Sequence, residues 1–84
     1  MGAVGFDDEQ LFARFRQRGD AAALGELFDR TAPALLRIAL HLARDPAAAE
    51  DLLQGTFLRA IEVRDEWDGA RPLLPWLCGI LHNR

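Results

Sequence analysis

Three polar residues, Glu50, Asp51 and Gln54, have the types and the spacing that suit a binding surface. They stand in the segment Ala49-Glu-Asp-Leu-Leu-Gln54, whose mixture of apolar and polar residues is typical of an amphipathic helix. Residues three and four apart share one face of a helix, so two carboxylates and an amide project from a single turn. Carboxylates accept paired hydrogen bonds from guanidinium groups, so we predict a face that docks on arginines of a partner helix. The alternative is a solvated helix face without a function.

Residues that would support catalysis or metal binding are scarce. The sequence contains no Ser and no glycine-rich phosphate loop. His41 and His82 fall in different predicted helices without nearby Cys or repeated acids, so we predict partly exposed helix residues rather than metal ligands. The single Cys78 cannot form an internal disulfide, which fits a reducing compartment. We therefore predict a protein that is not an enzyme and that needs no cofactor or metal.

Two residues near the end of the chain have the chemistry for contacting a nucleobase. Trp67 stands in the polar segment 64–72, where it either folds back into the core or walls a pocket for a flat ligand such as an unstacked base. Asn83 could hydrogen-bond the edge of such a base, or be an ordinary exposed Asn. The formal net charge of −3 counts against strong autonomous binding to DNA, because phosphate neutralisation supplies much of that affinity.

The elements that carry these residues are predicted to be helices. Strand-forming residues are scarce, and Ala and Leu dominate. We predict an all-α, compact bundle of four helices over 7–18, 21–43, 46–63 and 73–84, after a disordered N-terminus over 1–6. Gly19 ends the first helix, Asp20 and Asp45-Pro46 begin the next two, and Pro33 interrupts the second without ending it. No apolar run approaches the ~20 residues of a membrane span.

Burial is predicted from the helical period of the apolar residues. The stripe of the second helix comprises Leu24, Leu27, Phe28, Leu35, Ile38 and Leu42. The stripe of the third helix comprises Ala49, Leu52, Leu53, Thr56, Phe57, Ala60 and Ile61.

Three stretches of the sequence are specific for one family when they are taken together. They are Asp20-Ala-Ala-Ala-Leu-Gly-Glu-Leu-Phe28, then Arg44-Asp-Pro-Ala-Ala-Ala-Glu-Asp-Leu-Leu-Gln-Gly-Thr-Phe-Leu-Arg-Ala60, then Trp67-Asp, Arg71-Pro, Trp76-Leu, Ile80 and Asn83. They closely resemble region 2 of bacterial extracytoplasmic-function (ECF) sigma factors, over roughly residues 9–84. The predicted domain is therefore a sigma region 2 domain over 7–84, and region 4 is absent from the sequence.

The resemblance implies partners that the bare sequence does not show. In the family, the helix with Glu50, Asp51 and Gln54 docks on the β′ clamp helices of core RNA polymerase. The loop and last helix recognise the promoter −10 element as melted non-template strand. The resemblance further implies a cytoplasmic protein with no membrane contact and an anti-sigma factor as a partner.

The same resemblance assigns roles near the end of the chain. It implies that Trp67, Arg71 and Asn83 take part in −10 recognition. It also implies that Trp76 anchors the last helix.

Three departures from the family pattern affect these expectations. Gly55 stands where a Glu is usual, so one polar docking contact is missing, and Gly79 stands where a basic residue is usual. Pro75 replaces a residue that favours helix. The acidic charge and the two glycines motivate an alternative function, a sigma-like interaction module that binds an anti-sigma factor or another regulator without contacting DNA.

Overall fold

Residues 5–83 are described by a computed structural model, and within them the chain forms four α-helices and no strand. The helices are α1 (Asp8–Arg18), α2 (Ala21–Ala43), α3 (Pro46–Glu62) and α4 (Leu73–His82). This arrangement confirms the predicted all-α bundle. A short 3₁₀ turn at Arg64–Glu66 lies in the segment that was predicted to be a polar loop. The predicted last residue of α4, Arg84, lies outside the described residues.

Aspartate side chains begin the first three helices. The carboxylate of Asp7 accepts the Gln10 N–H at 2.7 Å, and the Gln10 side chain accepts the Asp7 N–H at 2.9 Å. Asp7 therefore caps α1 rather than forming its first residue. Asp20 and Asp45 cap α2 and α3 as predicted, at 3.1 and 2.9 Å, and Pro46 takes the first helical position, where no N–H is needed. Each such cap contributes about 1 kcal/mol.

The long helix α2 begins directly after a tight turn and remains continuous across its proline. Gly19, with φ of 66°, adopts the left-handed conformation that ends α1, as predicted. Pro33 is exposed, so its ring does not disturb the packed side of α2. Only Gly19 and Asp20 separate the two helices, and α1 therefore folds back against α2.

The pair α2 and α3 forms the centre of the bundle. Ala39, Ala49 and Ala60 have no exposed surface, and their small side chains allow the two helices to approach closely. The rings of Phe28 and Phe57 meet edge to face with 4.9 Å between centroids. Such a contact adds roughly 1 kcal/mol to the effect of burial alone. This packing fixes which face of α3 remains outside.

Burial departs from the prediction at a few positions. Leu42 is 50% exposed, because it stands one residue before the end of α2, beside a groove that no other described element covers. Leu52 and Ile61, at the edges of the α3 stripe, are only half-buried. The predicted disordered N-terminus does not extend to Phe6, which is half-buried against the core, and residues 1–4 lie outside the described residues.

Candidate functional site

The polar face of α3 lies on the solvent side of the bundle. Glu50, Asp51 and Gln54 are exposed, while Leu53 and Phe57 of the same helix are packed in the core. Within residues 5–83, these three polar side chains form no hydrogen bond or ion pair. Two carboxylates and one amide on a rigid helix are therefore free to bind a partner.

One apolar residue on this face was missed by the sequence analysis. Leu58 is 63% exposed and follows Asp51 by seven residues and Gln54 by four, so all three share one side of α3. Its position outside the apolar stripe is the signal that would have identified it. Gly55 has little exposed surface and, lacking a side chain, adds no polar group. We call Glu50, Asp51, Gln54 and Leu58 the α3 outer face.

Trp67 is a core residue, which corrects its predicted role as the wall of a base pocket. Its side chain is 1% exposed, and its ring meets Phe12 edge to face at 5.6 Å between centroids. The indole N–H donates to the Arg71 carbonyl at 3.0 Å, so the polar end of the ring is satisfied inside the loop. The alternative interpretation, that Trp67 folds back into the core, is the one that the structure confirms. No face of its ring is open to a base.

Helix α1 holds both the loop and the start of α4. The Arg16 guanidinium donates to the carbonyls of Arg64, at 3.4 Å, and of Trp67, and it lies 5.0 Å from the Trp67 ring centroid. The Glu9 carboxylate accepts the Leu73 N–H at 2.8 Å and so caps α4. Neither residue was predicted from the sequence, because their partners lie some fifty or more positions further along the chain and no local pattern links them.

The loop closes through a turn built on Asp68. Its Oδ1 accepts the N–H groups of Arg71 at 2.9 Å and Ala70 at 2.8 Å. The hydrogen bond from the Arg71 backbone and then that from Ala70 lower the pKa of Asp68. Gly69, with φ of 86°, completes the predicted turn. The Arg71 Nε lies 3.6 Å from Asp68 Oδ2, so the Arg71 side chain is paired with the carboxylate of its own turn.

A cleft of about 290 Å³ opens where the end of α3 faces the end of α4. It is lined by Arg59, Val63, Glu66, Trp76, Ile80 and Asn83. The Asn83 side chain is exposed and makes no hydrogen bond in the described part of the chain. We call this site the α3–α4 cleft. Of the three residues predicted to recognise the −10 element, it contains Asn83 but neither Trp67 nor Arg71.

The aromatic surface of the α3–α4 cleft comes from Trp76. This residue is half-buried, and its ring packs on Phe12 with 5.6 Å between centroids. That contact joins α4 to α1, which is the geometry expected of an anchoring residue. The part of Trp76 that remains accessible lines the cleft beside Ile80 and Asn83. The chain therefore places a ring, an amide and two charged groups around one small opening.

A second concavity, of about 510 Å³, lies between the C-terminal half of α2 and the end of α4. It is lined by Ala34, Arg37, Ile38, His41, Leu42 and His82. The Nδ1 atoms of His41 and His82 lie 3.0 and 2.8 Å from backbone carbonyls of their own helices. The structure therefore brings to one groove two histidines that the sequence placed in separate helices.

Residues 5–83 offer neither a metal-binding cluster nor a membrane-spanning helix. That range holds no group of three or more His, Cys, Asp or Glu side chains that could bind a metal ion. It also holds no helix with the length and hydropathy needed to cross a bilayer. Partial burial raises the pKa of the Cys78 thiol, which disfavours the thiolate that metals and electrophiles require.

Comparison with known proteins gives one consistent result. The sigma-70 region 2 family matches residues 27–84. The chain is 40% identical over 70 residues to the RNA polymerase sigma factor CarQ of Myxococcus xanthus, covering 83% of this chain and 40% of that protein. It is 42% identical over 65 residues to the ECF RNA polymerase sigma factor SigL of Mycobacterium tuberculosis, covering 76% and 37%. No solved structure matches with comparable significance.

A third relative extends the match along the chain. The RNA polymerase sigma factor NccH of Alcaligenes xylosoxydans is 30% identical over 76 residues, covering 90% of this chain and 41% of that protein. The chain thus spans about two fifths of the length of the curated relatives it matches.

Proposed function

The chain belongs to the sigma-70 region 2 family, and from that premise we propose that it is the part of a transcription initiation factor that docks on core RNA polymerase. The observation that carries the proposal is the α3 outer face. It presents Asp51 and Gln54, exposed and unpartnered among the described residues, with Leu58 beside them. The partner that fits is an arginine-bearing helix pair, the β′ clamp helices.

The physical basis of docking is a charge-assisted contact next to an apolar one. A guanidinium that reaches Asp51 can donate two N–H groups to its carboxylate, and the Gln54 amide can donate or accept one turn further on. Leu58 is already exposed, so covering it with a partner's apolar atoms removes a surface that water solvates poorly. Because Gly55 contributes no side chain, Asp51 and Gln54 carry most of the polar recognition.

Binding of purified core polymerase to the chain tests this docking. We expect Asp51→Ala to weaken binding by about 1.5–3 kcal/mol, the range for a hydrogen bond to a charged group, and Gln54→Ala by about 1 kcal/mol. Asp29→Ala is the matched control, because it removes an exposed carboxylate from α2 instead. Dissociation constants that stay unchanged for both α3 variants would refute the docking proposal.

The second half of the proposed function is recognition of the promoter −10 element as melted non-template strand. Support comes from the α3–α4 cleft. The Asn83 amide there has no hydrogen-bond partner among the described residues, and the accessible part of the Trp76 ring lines the same cleft. An aromatic side chain that stacks on a base contributes about 1–3 kcal/mol. Arg71, exposed on the neighbouring turn, is placed to contact phosphate once it leaves Asp68. Trp67 is buried against Phe12 and does not line the cleft, so we assign it no base contact.

A different function, binding of an anti-sigma factor or another regulator without DNA contact, draws support from the groove between α2 and α4. Its lining combines apolar side chains, among them Ile38 and Leu42, with Arg37 and two histidines. Among residues 5–83 no carboxylate lines it, so an acidic amphipathic helix would complement it. If the chain binds polymerase but the complex gains no affinity for single-stranded DNA, that result would favour regulator binding over −10 recognition.

A further inference from the structure

We propose that Glu66 makes the α3–α4 cleft selective for an unstacked base that carries an exocyclic amino group, and that it rejects thymine. The inference rests on the proposed recognition of melted DNA and adds to it the residue that chooses the base. Neither the sequence patterns nor the family resemblance assigns a role to Glu66. Its position in the cleft and its lack of a partner are what single it out.

The backbone of Glu66 is held firmly although its side chain is exposed. Its N–H donates to the Val63 carbonyl at 2.8 Å, which closes the 3₁₀ turn. On either side, the carbonyls of Arg64 and Trp67 both accept hydrogen bonds from Arg16. The carboxylate therefore projects from a fixed point at the cleft, and ordering it costs only the rotamer freedom of one side chain.

The charge of Glu66 is not neutralised by the neighbouring cation. Arg59 also lines the cleft, but its guanidinium is paired with Glu62 at 3.2 Å. Across residues 5–83, no hydrogen bond or ion pair involves the Glu66 carboxylate. An ionised carboxylate in this state accepts hydrogen bonds and donates none, so it favours a ligand that presents N–H groups.

The four bases differ in what they present to such an acceptor. Cytosine and adenine each carry an exocyclic amino group that donates next to a ring nitrogen that accepts, and guanine adds a ring N–H to its amino group. Thymine has no amino group, and its one N–H, at N3, lies between two carbonyl oxygens whose like partial charge repels the carboxylate. Asn83 can donate or accept, so it suits the remaining edge of any amino-bearing base. Glu66 is therefore the group in the cleft that discriminates.

Homopolymeric single strands test this selectivity without knowledge of the register in which a strand binds. The chain bound to core polymerase is titrated with oligo-dC, oligo-dA and oligo-dT at one salt concentration, and polymerase alone is subtracted. We expect oligo-dC and oligo-dA to bind about tenfold more tightly than oligo-dT, in line with the discrimination of one good base contact. Glu66→Gln should reduce that ratio to within about twofold, because the amide can also donate to a thymine carbonyl.

The matched control separates base selection from general repulsion of phosphate. Asp65→Asn removes the same charge from the adjacent exposed position, which does not line the cleft. It should strengthen the binding of all three oligonucleotides equally and leave the ratio of their affinities unchanged. A wild-type preference for oligo-dT, or an unchanged ratio in Glu66→Gln, overturns the role of Glu66. If no strand binds while polymerase docking persists, the proposed recognition of melted DNA fails and takes this inference with it.

Discussion

The α3 outer face and the α3–α4 cleft are built in opposite ways. The outer face consists of side chains from consecutive turns of one helix, and its geometry follows from α3 alone once the other side of that helix is packed. The cleft instead combines residues from α3, a 3₁₀ turn and α4, and two of these elements are held by Arg16 and Glu9 of α1. The first surface is local in the sequence, and the second depends on contacts between distant segments.

This difference predicts how the two surfaces respond to damage. A change in the loop or in α1 should disturb the cleft first, because its geometry depends on a small number of polar contacts. The outer face should persist as long as the helices remain packed. Polymerase binding and single-strand binding therefore provide separate readouts of the two regions.

The largest expected effect comes from removing Trp67. Trp67→Ala should lower the free energy of unfolding by about 3–5 kcal/mol, since it empties a fully buried aromatic site. Trp67→Phe keeps a ring against Phe12 but loses the N–H donated to Arg71 and part of the buried ring volume, so it should cost about 1–3 kcal/mol, less than Trp67→Ala. Urea unfolding measures both. A loss below 1 kcal/mol for Trp67→Ala would show that the ring is not the core residue described here.

A smaller effect that distinguishes the two surfaces is expected at Arg16. Arg16→Ala removes the hydrogen bonds to two loop carbonyls. It should lower the free energy of unfolding by about 1–2 kcal/mol. This is somewhat below the usual value for a charged donor, because the site is half-exposed. Single-strand binding should fall, whereas polymerase binding stays constant. Arg18→Ala, in the exposed last position of α1, is the control. An equal loss of both activities would contradict the separation of the two surfaces.

The smallest expected effect is a gain in helix stability at Gly79, with a change in single-strand binding for one of two variants. Gly79 is exposed on α4, and a Cβ built there meets nothing within 4 Å. Gly79→Ala and Gly79→Lys should each stabilise the helix by up to about 1 kcal/mol. Only the lysine variant should steepen the salt dependence of single-strand binding, by roughly one phosphate contact. Identical salt slopes for the two variants would place Gly79 away from the bound strand.

The sequence was most informative where a feature depends on neighbours along the chain. Asp20, Asp45 and Gly19 mark helix ends through local hydrogen bonds, and the exposure of Asp51 follows from helical period. These predictions needed no knowledge of how the helices pack. The four-helix architecture followed from the same local signals.

The rest of the site depends on contacts across the fold. Whether Trp67 faces solvent or core is decided by Phe12 and Arg16, and nothing in the polar sequence around Trp67 shows that they lie beside it. The same holds for Glu66 and Asn83, which line one cleft only because the loop turns the chain back on itself. Leu58 was missed for a simpler reason: burial was predicted from the apolar stripe of α3, and the residues outside that stripe were not considered as apolar surface.

The support that α1 gives to the cleft has a consequence for how this domain can be divided. The family match begins at residue 27, beyond the end of α1, yet Glu9 and Arg16 lie before that point. A chimera that carries only residues 27–84 on another sigma factor should retain polymerase docking. Its base-binding site should be poorly formed. For the proposed base selectivity, we therefore expect the smallest portable unit to begin at the Asp7 cap, and swaps designed to test it should include α1.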